Sequence, residues 1–156
     1  MDKKALIRAM KNSISEVLET MFFLPVDVSI ADLTKMPRHS KNGHISVTKL
    51  NFSGPFSGSF VLYIPDECAV SLTADFLGKD AENVSRENVI ETSKEIINMI
   101  AGNTFAILDD QAVFDLNIPE NILADHDGDA SGSGEKVLVK IDTTDKYMYL
   151  KMVISR

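Results

Sequence analysis

The chain has no tryptophan, a single cysteine and too few basic residues to favour nucleic acid. Its 156 residues include 16 lysines and arginines against 23 aspartates and glutamates, a net charge of −7. Binding to a phosphate backbone depends on clustered cations, so this balance argues against nucleic acid as the partner. The cysteine, Cys68, cannot form an internal disulfide and is expected to be a buried apolar thiol in a reducing compartment.

Long apolar runs are also missing. The run from Met21 to Leu24 is far too short to span a bilayer. Charged residues interrupt the first eleven positions, so the N-terminus has no apolar core of signal-peptide type. We therefore expect a cytoplasmic protein with no membrane partner. Hydrophobic residues make up 44% of the chain, enough for a single domain over residues 1–156 to bury a core.

Hydrophobic periodicity divides the chain into helical and strand segments. Apolar residues spaced three and four apart predict an amphipathic first helix, which ends at Pro25. From Val26 to Ile64 the period approaches two and predicts at least three half-buried strands. Two further strands are predicted at Lys136–Asp142 and Tyr147–Ile154, joined by a turn at 143–146.

Two more helices are predicted between the strand runs. Pro65 and Asp66 open the second helix, and Gly78 supplies its C-terminal stop. The third begins near Ser85, a favourable N-cap residue, and runs towards Leu108. This order of elements predicts a single α/β domain of the α+β type, in which helices pack on a mainly antiparallel sheet.

The third predicted helix carries a polar stripe opposite its apolar side. Glu91, Glu95, Asn98 and Gly102 gather there, and Glu95 and Asn98 are neighbours because they stand three apart. Gly102 has no side chain, so the backbone of another protein could approach closely; with Asn103 it is also the candidate point at which the helix is interrupted. A Glu-x-x-Asn pair alone is a weak signal, because most such pairs are solvated surface residues.

Three stretches of the sequence closely resemble the CheX members of the CheC/CheX/FliY chemotaxis phosphatase family. They are Phe60–Pro65, Leu72–Gly78 and Glu95–Asn103. The most specific element is Glu95-Ile-Ile-Asn98, followed by Met-Ile-Ala-Gly-Asn. The family's fuller signature places an Asp or Ser four residues before this Glu and a Pro some twenty residues after the Asn. Glu91 departs from the first position, and Pro119 lies near the second.

The resemblance implies a CheC/CheX-like fold and a phosphatase that acts on the phospho-aspartate of a CheY-type response regulator, in chemotaxis or another two-component circuit. It implies that Glu95 and Asn98 are catalytic, with Asn98 orienting the attacking water and Glu95 pairing with a lysine of the receiver. Glu91 and Gly102 are implied as partner-binding residues. No cofactor or metal ligand of the chain's own is expected, because the receiver supplies Mg²⁺.

CheC-type relatives carry a second Glu-x-x-Asn site on the first helix. The corresponding stretch here is Glu16-Val-Leu-Glu19, where a carboxylate replaces the amide, so a second site is not expected. The chain therefore resembles the CheX branch, whose members form homodimers through their sheets. A strand such as Tyr147–Ile154 would otherwise leave an apolar edge unpaired, so we expect a homodimer here as well.

Two other functions stay open at this point. One is a binding or scaffold module that docks on a phosphorylated receiver without speeding hydrolysis. This function stays open because Glu91 departs from the family signature. The other is a structural part of the flagellar switch.

One polar stretch invites a calcium interpretation. Residues 125–134 are rich in Gly, Ser and Asp and are expected to form a flexible, dispensable loop. An EF-hand does not fit, because Ala130 stands where the motif needs glycine and Lys136 where it needs glutamate.

Overall fold

The computed structural model describes residues 2–35, 45–122 and 134–155. Within these ranges three α-helices form one layer against a single antiparallel sheet of seven strands, which confirms the predicted fold class. The predicted loop at 125–134 lies outside the described residues, apart from Gly134.

The helices are α1 (Lys3–Phe22), α2 (Asp66–Leu77) and α3 (Arg86–Leu108), with single 3-10 turns at Leu33–Lys35 and Ala81–Asn83. The predicted helix ends are found within a few residues, and the largest difference is at α1, which ends at Phe22, three residues before Pro25, with Phe23 in a left-handed conformation. The carboxylate of Asp2 caps α1 by accepting from the amide of Lys4 at 3.0 Å. Gly78 ends α2 in a left-handed conformation, with φ of 65°, which glycine adopts without steric cost.

Helix α3 is capped at its start and continuous to its end. The Ser85 hydroxyl accepts from the Asn88 amide at 3.0 Å, and the Asn88 side chain accepts from the Ser85 amide at 3.1 Å, a reciprocal capping box. The interruption considered at Gly102 and Asn103 is wrong, because the helix runs through both residues. Burial of the residues around them outweighs the cost of one helical glycine, about 1 kcal/mol.

The sheet brings distant parts of the chain together. Its strands are β1 (Asp27–Ala31), β2 (Ile45–Ser53), β3 (Ser57–Pro65), β4 (Asp115–Leu116), β5 (Glu120–Ile122), β6 (Glu135–Asp142) and β7 (Tyr147–Ser155). The spatial order is β1-β6-β7-β3-β2-β4, and β5 pairs with another part of β2. The predicted unpaired apolar edge at Tyr147–Ile154 is wrong, because β7 is an interior strand between β6 and β3.

Alternation along the strands places the main core between the sheet and the helices. On β3, Phe60 and Leu62 face the helices, whereas Val61 and Tyr63 belong to a smaller apolar cluster on the opposite face. Helix α3 packs against α1, α2 and β2, so its buried side faces the sheet and its polar stripe faces outward. This packing fixes the direction in which the candidate site points.

Candidate functional site

Glu95 and Asn98 are side by side on the exposed face of α3. Both side chains are exposed, whereas the intervening Ile96 and Ile97 are only 1% and 0% exposed. The two isoleucines pack in the main hydrophobic core, so core packing holds the helix backbone that carries the polar pair. Within the described parts of the chain, neither Glu95 nor Asn98 has a hydrogen bond or an ion pair through its side chain. Their carboxylate and amide groups are therefore available to a partner.

Glu91 lies one turn before Glu95 in a different electrostatic setting. Its carboxylate is 3.5 Å from the ammonium group of Lys94 and is 68% exposed. Because an exposed pair of this kind contributes little to stability, the contact mainly offsets the charge of Glu91. The two glutamates of the stripe are thus not equivalent.

Gly102 lies one turn beyond Asn98 and is half-buried. Among the described residues, a Cβ atom built there would meet only the Cδ1 atom of Leu116, at 3.9 Å, which is an ordinary contact distance. The stripe therefore ends in a place where the helix backbone is open to approach from outside.

A buried hydrogen-bond cluster fixes the backbone of α3 just after Asn98. The carbonyl of Ile100 accepts from the hydroxyl of Ser13 on α1 at 2.8 Å and from the hydroxyl of Thr104 at 2.7 Å. Both hydroxyls are fully buried, so breaking either bond would leave a buried polar group unsatisfied. Neither Ser13 nor Thr104 is predicted from the sequence, although small hydroxyl residues within an apolar helix stripe are a signal that indicates such positions.

Helix α1 also meets α3 through an exposed contact. The side-chain amide of Asn103 donates to the carboxylate of Glu16 at 2.9 Å. Glu16 and Glu19, the two residues at the place of a second Glu-x-x-Asn motif, are both exposed on α1. The first of them is therefore already engaged by α3.

The described residues offer neither a metal site nor a reactive thiol. Among the residues that the structure describes, no three His, Cys, Asp or Glu side chains are grouped so that they could hold a metal ion. Cys68 is buried, as predicted, and burial raises the pKa of its thiol to about 11. A neutral, inaccessible thiol is a packing residue rather than a nucleophile.

No helix in the described ranges has the length and apolar character to cross a bilayer.

Comparison with known families gives a match centred on the sheet and α3. The sequence profile described as "Chemotaxis phosphatase CheX" matches residues 46–141, well over half of the chain, and this range contains Glu91, Glu95, Asn98 and Gly102. No curated protein sequence matches significantly.

Solved structures with the same fold cover nearly the whole chain. A chain in the CheX–CheY–BeF3–Mg²⁺ complex from Borrelia burgdorferi is 19% identical, with a TM-score of 0.76 and coverage of 97% of this chain and 98% of that one. The chemotaxis protein CheX from Vibrio vulnificus is 18% identical, with a TM-score of 0.75 and 96% of each chain covered. A CheC-like superfamily protein from Shewanella is 18% identical, with a TM-score of 0.74 over 100% of both chains.

Proposed function

The chain belongs to the CheX family of chemotaxis phosphatases, and we propose that it hydrolyses the phospho-aspartate of a CheY-type receiver domain. The observation that carries this proposal is the pair formed by Glu95 and Asn98, which are exposed, adjacent and without partners in the described chain. The Borrelia burgdorferi relative forms a complex with CheY, BeF3 and Mg²⁺, which supports a receiver as the partner of this fold.

In this reaction the main task of the chain is to position one water molecule. A receiver would bring its own Mg²⁺ and lysine, which neutralise much of the charge on the transferring phosphoryl group. Water then attacks phosphorus, the bond between phosphorus and the aspartate oxygen breaks, and the products are inorganic phosphate and a free carboxylate. The amide of Asn98 can hold that water in line through its oxygen and nitrogen. Being uncharged, it avoids the repulsion that a carboxylate would meet beside the phosphoryl group.

Glu95 has the complementary role in this proposal. Its carboxylate pairs with the receiver's lysine, and that contact sets the register of docking and therefore the position of the Asn98 amide. Ser13 and Thr104, which hold the carbonyl of Ile100, keep the helix backbone beside Asn98 in place.

Turnover of a phosphorylated receiver is the direct test. The protein is added at about a hundredth of the receiver concentration, and the acyl phosphate is followed with time for each CheY-type receiver encoded in the same genome. Loss of many equivalents of phosphate per protein molecule is the expected result. If every receiver decays at its intrinsic rate, the proposal is wrong.

A binding module is the second candidate, and the Glu91 position favours it. Glu91 stands where the family signature has Asp or Ser, and Lys94 offsets its charge. A module that only binds would protect the acyl phosphate in proportion to its own concentration, with no turnover. The same time course separates the two functions.

A further inference from the structure

A surface groove of about 270 Å³ opens at the C-terminal half of α3, next to the polar stripe. Gly102 and Ala106 form its helical side, and Phe105, Phe114 and Leu116 supply its apolar lining; Asp109, Asp110 and Ala112 complete it. The rings of Phe105 and Phe114 are stacked, with centroids 3.9 Å apart, so they form one continuous apolar wall. We call this feature the α3 groove.

The fold itself gives no reason for glycine at the mouth of the α3 groove. Glycine inside a helix is less stable than alanine, and a Cβ atom at Gly102 would clash with none of the residues that the structure describes. Gly58 gives the opposite result, because a Cβ atom there would overlap the carbonyl of Val153 on the neighbouring strand. Packing among the described residues thus accounts for Gly58 but not for Gly102.

The α3 groove lies within reach of any protein that docks on Asn98. With a rise of 1.5 Å per residue, Gly102 and Ala106 stand about 6 Å and about 12 Å along the helix from Asn98, and both fall on the same side of it as Glu95. A protein interface of standard size buries about 800 Å² on each partner, which corresponds to a disc of roughly 16 Å radius. A receiver centred on Asn98 would therefore cover the groove.

The rim of the α3 groove is acidic. Asp109 and Asp110 line it, and Asp115 follows directly after the lining residue Phe114. All three are exposed, and within the described ranges no lysine or arginine forms an ion pair with any of them. Val113, between two lining residues, is 77% exposed and adds apolar surface. Such a rim favours an apolar group that is flanked by cations.

We propose that the α3 groove is a second docking subsite, which takes an apolar side chain flanked by lysine or arginine from the receiver whose phospho-aspartate lies at Asn98. This inference rests on the proposed function and adds a determinant of which receiver is recognised. The Glu95–Asn98 pair would contact groups that all receivers share. The α3 groove would contact a part of the receiver surface that differs from one receiver to another.

The main test fills the groove without touching Glu95 or Asn98. Ala106→Gln places a long, soluble side chain at an exposed helical position, so the fold is retained. We expect the dissociation constant for a CheY-type receiver loaded with BeF3⁻ and Mg²⁺ to rise roughly tenfold. The KM for the phosphorylated receiver should rise with it, while kcat changes little because the water-orienting amide is intact.

The matched control is Ala81→Gln, the same change at an exposed residue beyond the opposite end of α3. It should leave both constants unchanged. Gly102→Ala gives a second test with opposite signs: Tm should rise by about 2–4 °C, while receiver binding weakens. A merely structural glycine would change stability without changing affinity.

Charge gives a third readout. Asp110→Asn should lower the association rate at low salt and flatten its dependence on ionic strength.

The outcomes separate this inference from the proposed function. Turnover by the wild type together with unchanged affinity in Ala106→Gln and Gly102→Ala would overturn the subsite alone. Receiver binding that weakens in both variants, but without turnover in the wild type, would keep the subsite and overturn the phosphatase. Failure of the wild type to bind any receiver would overturn both.

Discussion

The side-chain amide of Asn103 on α3 lies 2.9 Å from the carboxylate of Glu16 on α1 and donates a hydrogen bond to it. Glu16 stands where CheC-type relatives carry the glutamate of a second site, yet here the carboxylate joins two helices of the same chain. The residue that follows three positions later is Glu19 instead of asparagine. We therefore assign Glu16 a role in holding α1 against α3.

Asn103→Ala should lower the free energy of unfolding by about 1 kcal/mol, because it removes one hydrogen bond to a charged acceptor at a partly exposed position. Urea denaturation measures the change. Glu19→Ala, also exposed on α1, is the control and should stay within about 0.5 kcal/mol of the wild type. A loss of receiver affinity in Glu16→Ala but not in Asn103→Ala would mean instead that Glu16 contacts the partner.

Asn98→Ala should reduce turnover without weakening receiver binding, because we propose that its amide acts on water only in the transition state. Loss of one water-orienting group costs roughly 2–4 kcal/mol of barrier, on the order of a hundredfold or more in rate. Single-turnover dephosphorylation, alongside binding to a BeF3⁻-loaded receiver, measures the two effects separately. Unchanged turnover in this variant would remove the mechanism.

Glu95→Ala should weaken docking as well as turnover, since the carboxylate is expected to pair with the receiver's lysine. Isothermal titration with the BeF3⁻-loaded receiver measures the affinity. Glu82→Ala is the matched control, because this exposed glutamate lies beside the control position Ala81, beyond the start of α3. Equal losses of affinity in the two variants would contradict a special role for Glu95.

The stability of the protein should fall above pH 9 because of Cys68. Burial raises the pKa of its thiol from 9.0 to about 11 in the folded state. Between these values the unfolded chain releases the thiol proton while the folded chain keeps it, so the unfolded state is favoured as the pH rises. Guanidinium unfolding at pH 8 and pH 10.5 should show a smaller decrease for Cys68→Ala than for the wild type. Parallel decreases in both proteins would contradict this assignment.

A homodimer remains our expectation, and the strand order changes where its interface should be sought. Strand β1 pairs with β6 alone among the described strands, and Ile30 on it is 63% exposed. Light scattering should therefore give about twice the chain mass of 17.2 kDa, and Ile30→Lys should shift the protein towards the monomer. A wild-type mass equal to one chain would count against any dimer.

The sequence allowed the helices to be predicted because their boundaries depend on nearby residues. Ser85 and Gly78 act through local capping, which is visible without a structure. The position of β7 in the sheet depends on pairing with β3, far away in sequence, so it was assigned wrongly to an edge. Strands β4 and β5 have two and three residues, too few for a periodic signal.

The candidate site was predicted through family resemblance more than through spacing. A Glu-x-x-Asn pair is common on solvated helices. Glu95 and Asn98 are predicted as catalytic only because the residues around them resemble the family. The α3 groove had no sequence signal except Gly102, because Phe114 and Leu116 reach it from beyond the helix. Predicting such a groove requires the path of the chain after α3, which depends on pairing of β4 with β2.

The pairing of β1 with β6 has a consequence for how the chain reaches its native state. Ala31 pairs with Leu138, more than a hundred residues later in sequence. At ribosomal speeds of about 5–20 residues per second, β1 would emerge roughly 5–20 s before its partner strand. Contacts of such long range also slow folding after synthesis, because closing a long loop costs entropy before the pairing repays it.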